Sequence, residues 1–329
     1  MTLEQLAPSA TLATRPATPT SPSLYHQLLR GPRFRWWRPL LSLILFVTLT
    51  GAIFAVVGTV VVGGFELAPS TRWGSPLSED ATNPAAMLLV NLLLASLIPS
   101  TLLSAWIVHR VRPGFLLSVT GRFRWRWLLR CLAVLLPLWA VYLTVVYLTG
   151  PPESGRPQQW VILLVMALLL TPFQCAGEEL VFRGWLTQHV GAYFRHPVVG
   201  LVVSTVVFTA GFALVHGSLD PWILLNLGIF GVAASLVTWR TGGLESAIAI
   251  HVVNNVTLFV VTTTAGGYSE SFVQTDSTGD PVAVLWTLGI QIIAVGLILW
   301  QARRAQITRV FRPAIPPAPP AIWIPPLGY

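Results

Sequence analysis

Trp160-Val-Ile-Leu-Leu-Val-Met-Ala-Leu-Leu-Leu170 is an apolar run without a charge, and Gly177-Glu-Glu-Leu-Val-Phe-Arg-Gly184 follows it closely. The run reads as the first part of a membrane span, and it carries straight on into two adjacent carboxylates and an arginine. Ionisable side chains in hydrocarbon cost several kcal/mol and are functional candidates by default. The 329-residue chain has only 12 acidic residues, and no other two of them fall within an apolar span. On a helix each residue turns by about 100°, so Glu178 and Glu179 face different ways. Glu179 and Arg183 are four apart, which stacks them on one face as an ion pair. Glu178 is left to another neighbour.

Outward from this stretch, the chain is 54% hydrophobic and only 10% charged, a composition foreign to water-soluble domains. Apolar segments long enough to cross a bilayer recur at about 39–63, 86–108, 128–150, 160–182, 198–216, 221–239, 244–263 and 281–301. The expected fold is all-α, a polytopic membrane helix bundle of about eight transmembrane helices. Residues 1–37, rich in Pro, Ser and Thr before Arg30, Arg33 and Arg35, read as a disordered basic tail. Residues 38–302 form the transmembrane domain, and 303–329 a basic, then Pro-rich, tail.

Charge fixes the expected orientation. With eight spans, 17 arginines besides Arg183 fall in the tails and loops of one side. Only Arg72 and Arg156 fall opposite, with eight of the acidic residues. The positive-inside rule places both termini in the cytoplasm. The net charge of +8 therefore reflects headgroups and topology, and no nucleic-acid partner is expected. Gly121-Arg-Phe-Arg-Trp-Arg-Trp127 is expected to lie along the lipid headgroups. Two cysteines, Cys131 and Cys175, give no disulfide framework, and Cys175 reads as a small buried filler.

Three further polar residues lie in or at the end of apolar spans. His216 closes Phe212-Ala-Leu-Val-His216, and His251 and Asn255 share a helix face in His251-Val-Val-Asn-Asn255. Singly, each would pass as a polar group satisfied by a neighbouring helix. Together with the glutamates they supply what a catalytic zinc site uses: imidazoles, a carboxylate and an open position for water. Glu178, His216, His251 and Asn255 are the candidate ligands of a divalent metal, zinc being expected. Depth counted along the spans disagrees, however. His251 is close to the turn at Gly242-Gly243, whereas Glu178 and His216 are 17 and 20 residues from the turn at Arg195-His196. The counts agree if residues 184–196 project from the membrane or lie along it.

Glu-Glu-x-x-x-Arg, Phe-x-x-x-His and His-x-x-x-Asn, in that order in separate spans, resemble the CPBP family of intramembrane metalloproteases. That family includes type II CAAX prenyl endopeptidases and bacteriocin-processing or immunity proteins of Abi type. The resemblance covers about residues 115–262. It implies an endopeptidase of the cell membrane, bacterial in view of the Lys-free, Arg-rich composition, acting on a peptide or membrane-protein substrate near the cytoplasmic side. By position it makes Glu178 the general base or water ligand, with His216, His251 and Asn255 completing the site and Glu179 and Arg183 supporting it. Two other classes stand beside it: a non-catalytic immunity or scaffold protein of the same fold, and a proton-coupled transporter. Against the transporter, the sequence shows no internal repeat.

Overall fold

Proline and its preceding cap residue start most of the long helices. In the computed structural model, which describes residues 17–68, 73–78, 80 and 82–313, α1 is Arg38–Leu67, with Pro39 in its first turn. Asn83 caps α2 (Pro84–Ala95), which runs through Ser96 into α3 (Leu97–His109). A single turn, α4 (Gly114–Leu117), precedes α5 (Trp125–Thr149). After α6 (Trp160–Leu169) the chain breaks at Leu170 into α7 (Thr171–Glu179), a π-helical segment Leu180–Leu186, and α8 (Thr187–Gly191). The remaining helices are α9 (Pro197–Leu214), α10 (Pro221–Thr241), α11 (Glu245–Ala265) and α12 (Pro281–Arg304). Asp220 and Asp280 cap α10 and α12 ahead of Pro221 and Pro281; α10 ends on Gly242 at φ 67°, a conformation open to glycine at no steric cost.

Among the described residues, seven helices, counting α2 and α3 together, are long and apolar enough to cross a membrane, or eight if the α6–α8 pair, bent by 40°, is one span. The polytopic all-α architecture is as expected. The bend is new. Pro172 in the first turn of α7 has no N–H to give to the preceding turn, so span 4 is two helices instead of one.

The centre of the bundle is α11. It packs against α5, α6, α7 and α10, and its residues from Glu245 to His251 are all buried. Trp127, Trp139, Phe212, Phe230, Ile250 and Ile298 form the main apolar core around it. Small residues permit the close helix approaches: at Gly177 a Cβ would collide with the Leu94 carbonyl oxygen of α2.

Both ends of the described chain meet in one cap. Strand β1 (Ser23–Leu24) pairs antiparallel with β2 (Val310–Phe311). Tyr25, Leu28 and Leu29 are buried, and the Tyr25 hydroxyl donates to the carbonyl of Leu116. Residues 17–37 are therefore not a disordered tail, and the C-terminal tail begins with a docked strand. Composition concealed this because a few apolar side chains, well placed in a Pro-rich segment, are enough to anchor it. Residues 1–16 and 314–329 lie outside the described residues. The Arg/Trp cluster also departs from expectation. Arg124 turns inward, its Nε and Nη2 reaching Glu245 at 2.9 and 2.6 Å and its Nη1 the carbonyls of Thr241 and Thr308. Trp127 is buried and donates to Ser246. Trp125 alone of that pair stays exposed.

Candidate functional site

Three elements bring the polar residues together. Helix α7 ends on Glu178 and Glu179, and the wider π-helical turn that follows carries Arg183. Segments of this kind are rare and concentrate at functional sites. Thr187 donates to the carbonyl of Phe182, five residues back, at 2.8 Å, which helps satisfy the stretched ladder. The ion pair read from the sequence is present: Arg183 Nη1 lies 3.1 Å from Glu179 Oε1, with both side chains buried. The guanidinium rests on Phe212 at 4.4 Å and near Phe230 at 5.6 Å, so its faces are shielded by aromatic rings.

His251, one and a half turns into α11, bridges the two carboxylates. Its Nδ1 is 2.9 Å from Glu179 Oε1 and its Nε2 is 3.8 Å from Glu178 Oε2. An ionised carboxylate only accepts, so Nδ1 carries the proton toward Glu179, and Nε2 faces Glu178. Glu178 Oε1 accepts from Gln174 Nε2 at 2.8 Å, leaving Oε2 as the oxygen that faces His251. Cys175 is buried on the same helix beside the His251 ring.

His216 stands one ring away. Its Nδ1 is held by the Phe212 carbonyl at 2.7 Å, and the Phe212 ring is 4.7 Å from the His216 ring and 6.0 Å from that of His251. Asn255, a turn beyond His251, accepts at Oδ1 from Asn254 Nδ2 at 3.1 Å, and Asn254 Oδ1 accepts from Trp139 Nε1 at 3.3 Å. The Trp139–Asn254 chain thereby keeps the Asn255 carbonyl oxygen occupied and its NH₂ group free to donate. The structure thus joins Glu178, Glu179, Arg183 and His251 directly, with His216 and Asn255 at the margin.

Both imidazoles have Nδ1 fixed by an acceptor and Nε2 left over, the orientation seen in metal-ligating histidines. The donor types therefore suit a divalent cation. Among the described residues, however, no three His, Cys, Asp or Glu side chains converge on one point, so the fit is one of donor type and orientation, short of a finished coordination shell.

The disagreement over depth resolves in the cap. Phe212 is 15 residues into α9 and His251 six into α11, about 22 and 9 Å at helical rise. Because their rings are neighbours, the start of α9 stands roughly 13 Å further out than that of α11 for helices near parallel. Residues of the N-terminal segment cover this projecting part: Gly191 packs on the His26 backbone, and the Tyr193 hydroxyl donates to the Trp36 carbonyl at 2.5 Å. Gln174 was legible in the sequence as the i−4 neighbour of Glu178. Trp139 and Asn254 carried no such signal, since their meeting depends on how α5 packs on α11.

Residues 157–257 match the family model for type II CAAX prenyl endopeptidase Rce1-like proteins. All six candidate residues fall inside that segment, and the resemblance read from the three motifs is borne out over this shorter span. Uncharacterized protein YyaK of Bacillus subtilis (strain 168) is 27% identical over 163 residues, which are 47% of this chain and 53% of that protein. The chain thus spans about half the length of the curated relative it matches. No solved structure matches the chain.

Proposed function

Taking the similarity of residues 157–257 to type II CAAX prenyl endopeptidases as the premise, we propose that this multi-pass membrane protein is an intramembrane endopeptidase that hydrolyses a peptide bond with an activated water. The observation that carries the proposal is the Glu178–His251 pairing, a buried carboxylate and an imidazole Nε2 that face each other at 3.8 Å. Glu178 Oε2 takes a proton from the water, whose oxygen attacks the scissile carbonyl carbon. The oxyanion receives a hydrogen bond from the free NH₂ of Asn255. Glu178 then returns the proton to the departing amine as the C–N bond breaks. Glu179, held by Arg183, fixes the tautomer and tilt of His251. Glu178, His216 and His251, with Asn255 beside them, would hold a divalent metal, zinc in this proposal, which when bound would lower the pKa of the water.

Arginine on the cap face and acidic residues on the other support a plasma-membrane protein with its cap in the cytoplasm. The substrate class is a peptide or membrane protein that reaches the site from that face.

The test compares new peptide termini in membranes from cells that make wild type, Glu178→Gln or Cys175→Ser protein. Termini that depend on Glu178 and persist in Cys175→Ser are expected, and they identify the substrate as well. Absence of any Glu178-dependent terminus, in protein shown to be folded, would favour the non-catalytic reading. Metal content of purified wild type beside His216→Ala and His251→Ala decides the zinc: about one ion per chain, lost in both variants, is expected.

A further inference from the structure

Arg183 also lines a small cavity, whose walls mix apolar and polar side chains. Its walls include Arg183, Tyr25, His26, Thr205, Ser235 and Thr238, so it reaches from the cap to the guanidinium between α9 and α10. About 10 Å³ of it is open to the centre of a water molecule. Several buried polar atoms on or beside it find no hydrogen-bond partner among the described residues: Arg183 Nη2, Thr238 Oγ1, Thr209 Oγ1 and His26 Nδ1. Gly231 opens a notch at its inner end. A methyl group there would stand 3.1 Å from Arg183 Nη2 and 3.0 Å from Thr209 Oγ1.

Buried polar groups left alone each cost about 1–3 kcal/mol, and four around one space point to a shared ligand. The donors and acceptors specify it. Arg183 Nη2 can only donate and needs an acceptor. His26 Nε2 is 3.0 Å from the Pro197 carbonyl, so Nε2 carries the proton and Nδ1 is an acceptor in need of a donor. An anion would satisfy the arginine and leave the histidine bare. A metal cation would meet the arginine's charge. Water serves both; the hydroxyls of Thr205 and Thr238 can donate or accept, and Ser235, whose proton goes to the Gly231 carbonyl at 2.9 Å, accepts. The open space suits about one water molecule.

We propose that this cavity is a water-binding site, filled from the cap face, in which ordered water is held by Arg183 Nη2 and the α9–α10 hydroxyls beneath Tyr25 and His26. It gives the buried guanidinium a second polar contact, at Nη2, beside the one that Nη1 makes to Glu179. It also places water within the bundle one side chain from the Glu179–His251 pair. The inference concerns hydration of the fold and stands whether or not the chain is a peptidase.

Radiolytic hydroxyl labelling of the intact protein in nanodiscs, read by mass spectrometry, tests it, because radicals form at bound water and mark the side chains around it. Tyr25 and Tyr268 are equally buried, each 1% exposed, but only Tyr25 lines the cavity. Tyr25 is expected to label several-fold faster than Tyr268, while Leu28, buried in the same segment, labels no faster than the buried Leu116. A Ser235→Val/Thr238→Val variant, shown folded by its thermal midpoint, is expected to bring Tyr25 down to the Tyr268 rate. Equal rates at the two tyrosines in wild type would overturn the proposal. So would fast labelling of Leu28, which would mean that the segment lifts into bulk solvent. Unchanged Tyr25 labelling in the folded double variant would overturn it as well.

Discussion

The two neighbouring glutamates separate by function because of their partners. Glu179 is wholly buried and shared by Arg183 and His251, whereas Glu178 is tied to Gln174 and otherwise faces His251. Glu178→Gln is expected to lower turnover by about 10²–10⁴-fold with little change in thermal midpoint. Glu179→Gln is expected to abolish activity and also to destabilise by about 3–5 kcal/mol, since it leaves a buried guanidinium without its counter-charge. Thermal unfolding of both variants beside a turnover assay separates the roles; equal midpoints would contradict the assignment. In the cap, burial pushes the His26 imidazole down from 6.5 to about 4. The unfolded chain therefore binds the extra proton between these values, so stability present at neutral pH falls as pH drops from about 6.5 toward 4. The loss amounts to about 3 kcal/mol across that window, and His26→Asn should flatten this part of the pH profile of the midpoint.

At the scale of elements, the break at Leu170 and the π-helical segment aim Glu178, Glu179 and Arg183 into the bundle, and α5 orients Asn255 through Trp139 and Asn254. Trp139→Phe keeps the ring that fills the core but removes the donor to Asn254. Its expected effect is a fall in kcat of about tenfold at unchanged KM, the sign of an interaction made in the transition state. A matching rise in KM would place Trp139 in substrate binding instead. The spans themselves were plain in the sequence because length and hydropathy decide them, and the Glu179–Arg183 pair followed from four-residue spacing. The 40° bend had only Pro172 to announce it. The wider helical turn had no marker, because the side chains that favour it come from distant helices. Motif spacing put His251 on the span that packs against the glutamates, yet it could not reveal that the Phe212 ring stands beside both His216 and His251.

For the whole molecule, the cap ties together parts that hydropathy treats as separate. Arg124 links the segment before α5 to the start of α11 and to Thr308, and Arg309 closes on Gly242 so tightly that a Cβ there would clash with its backbone. Val310→Pro should undo the β1–β2 pairing, because proline has no N–H for the ladder. Faster proteolytic cleavage around residues 17–30, with the transmembrane helices left intact, is the expected outcome; cleavage at the wild-type rate would show that the strand pair does not hold the segment down. The pairing also has a meaning in time. Leu24 leaves the ribosome before α1, and its partner Val310 emerges only after α12. At about 5–20 residues per second, the first strand waits roughly 15–60 s for the second, and through that interval the growing chain has its membrane helices before it has the lid on their arginine.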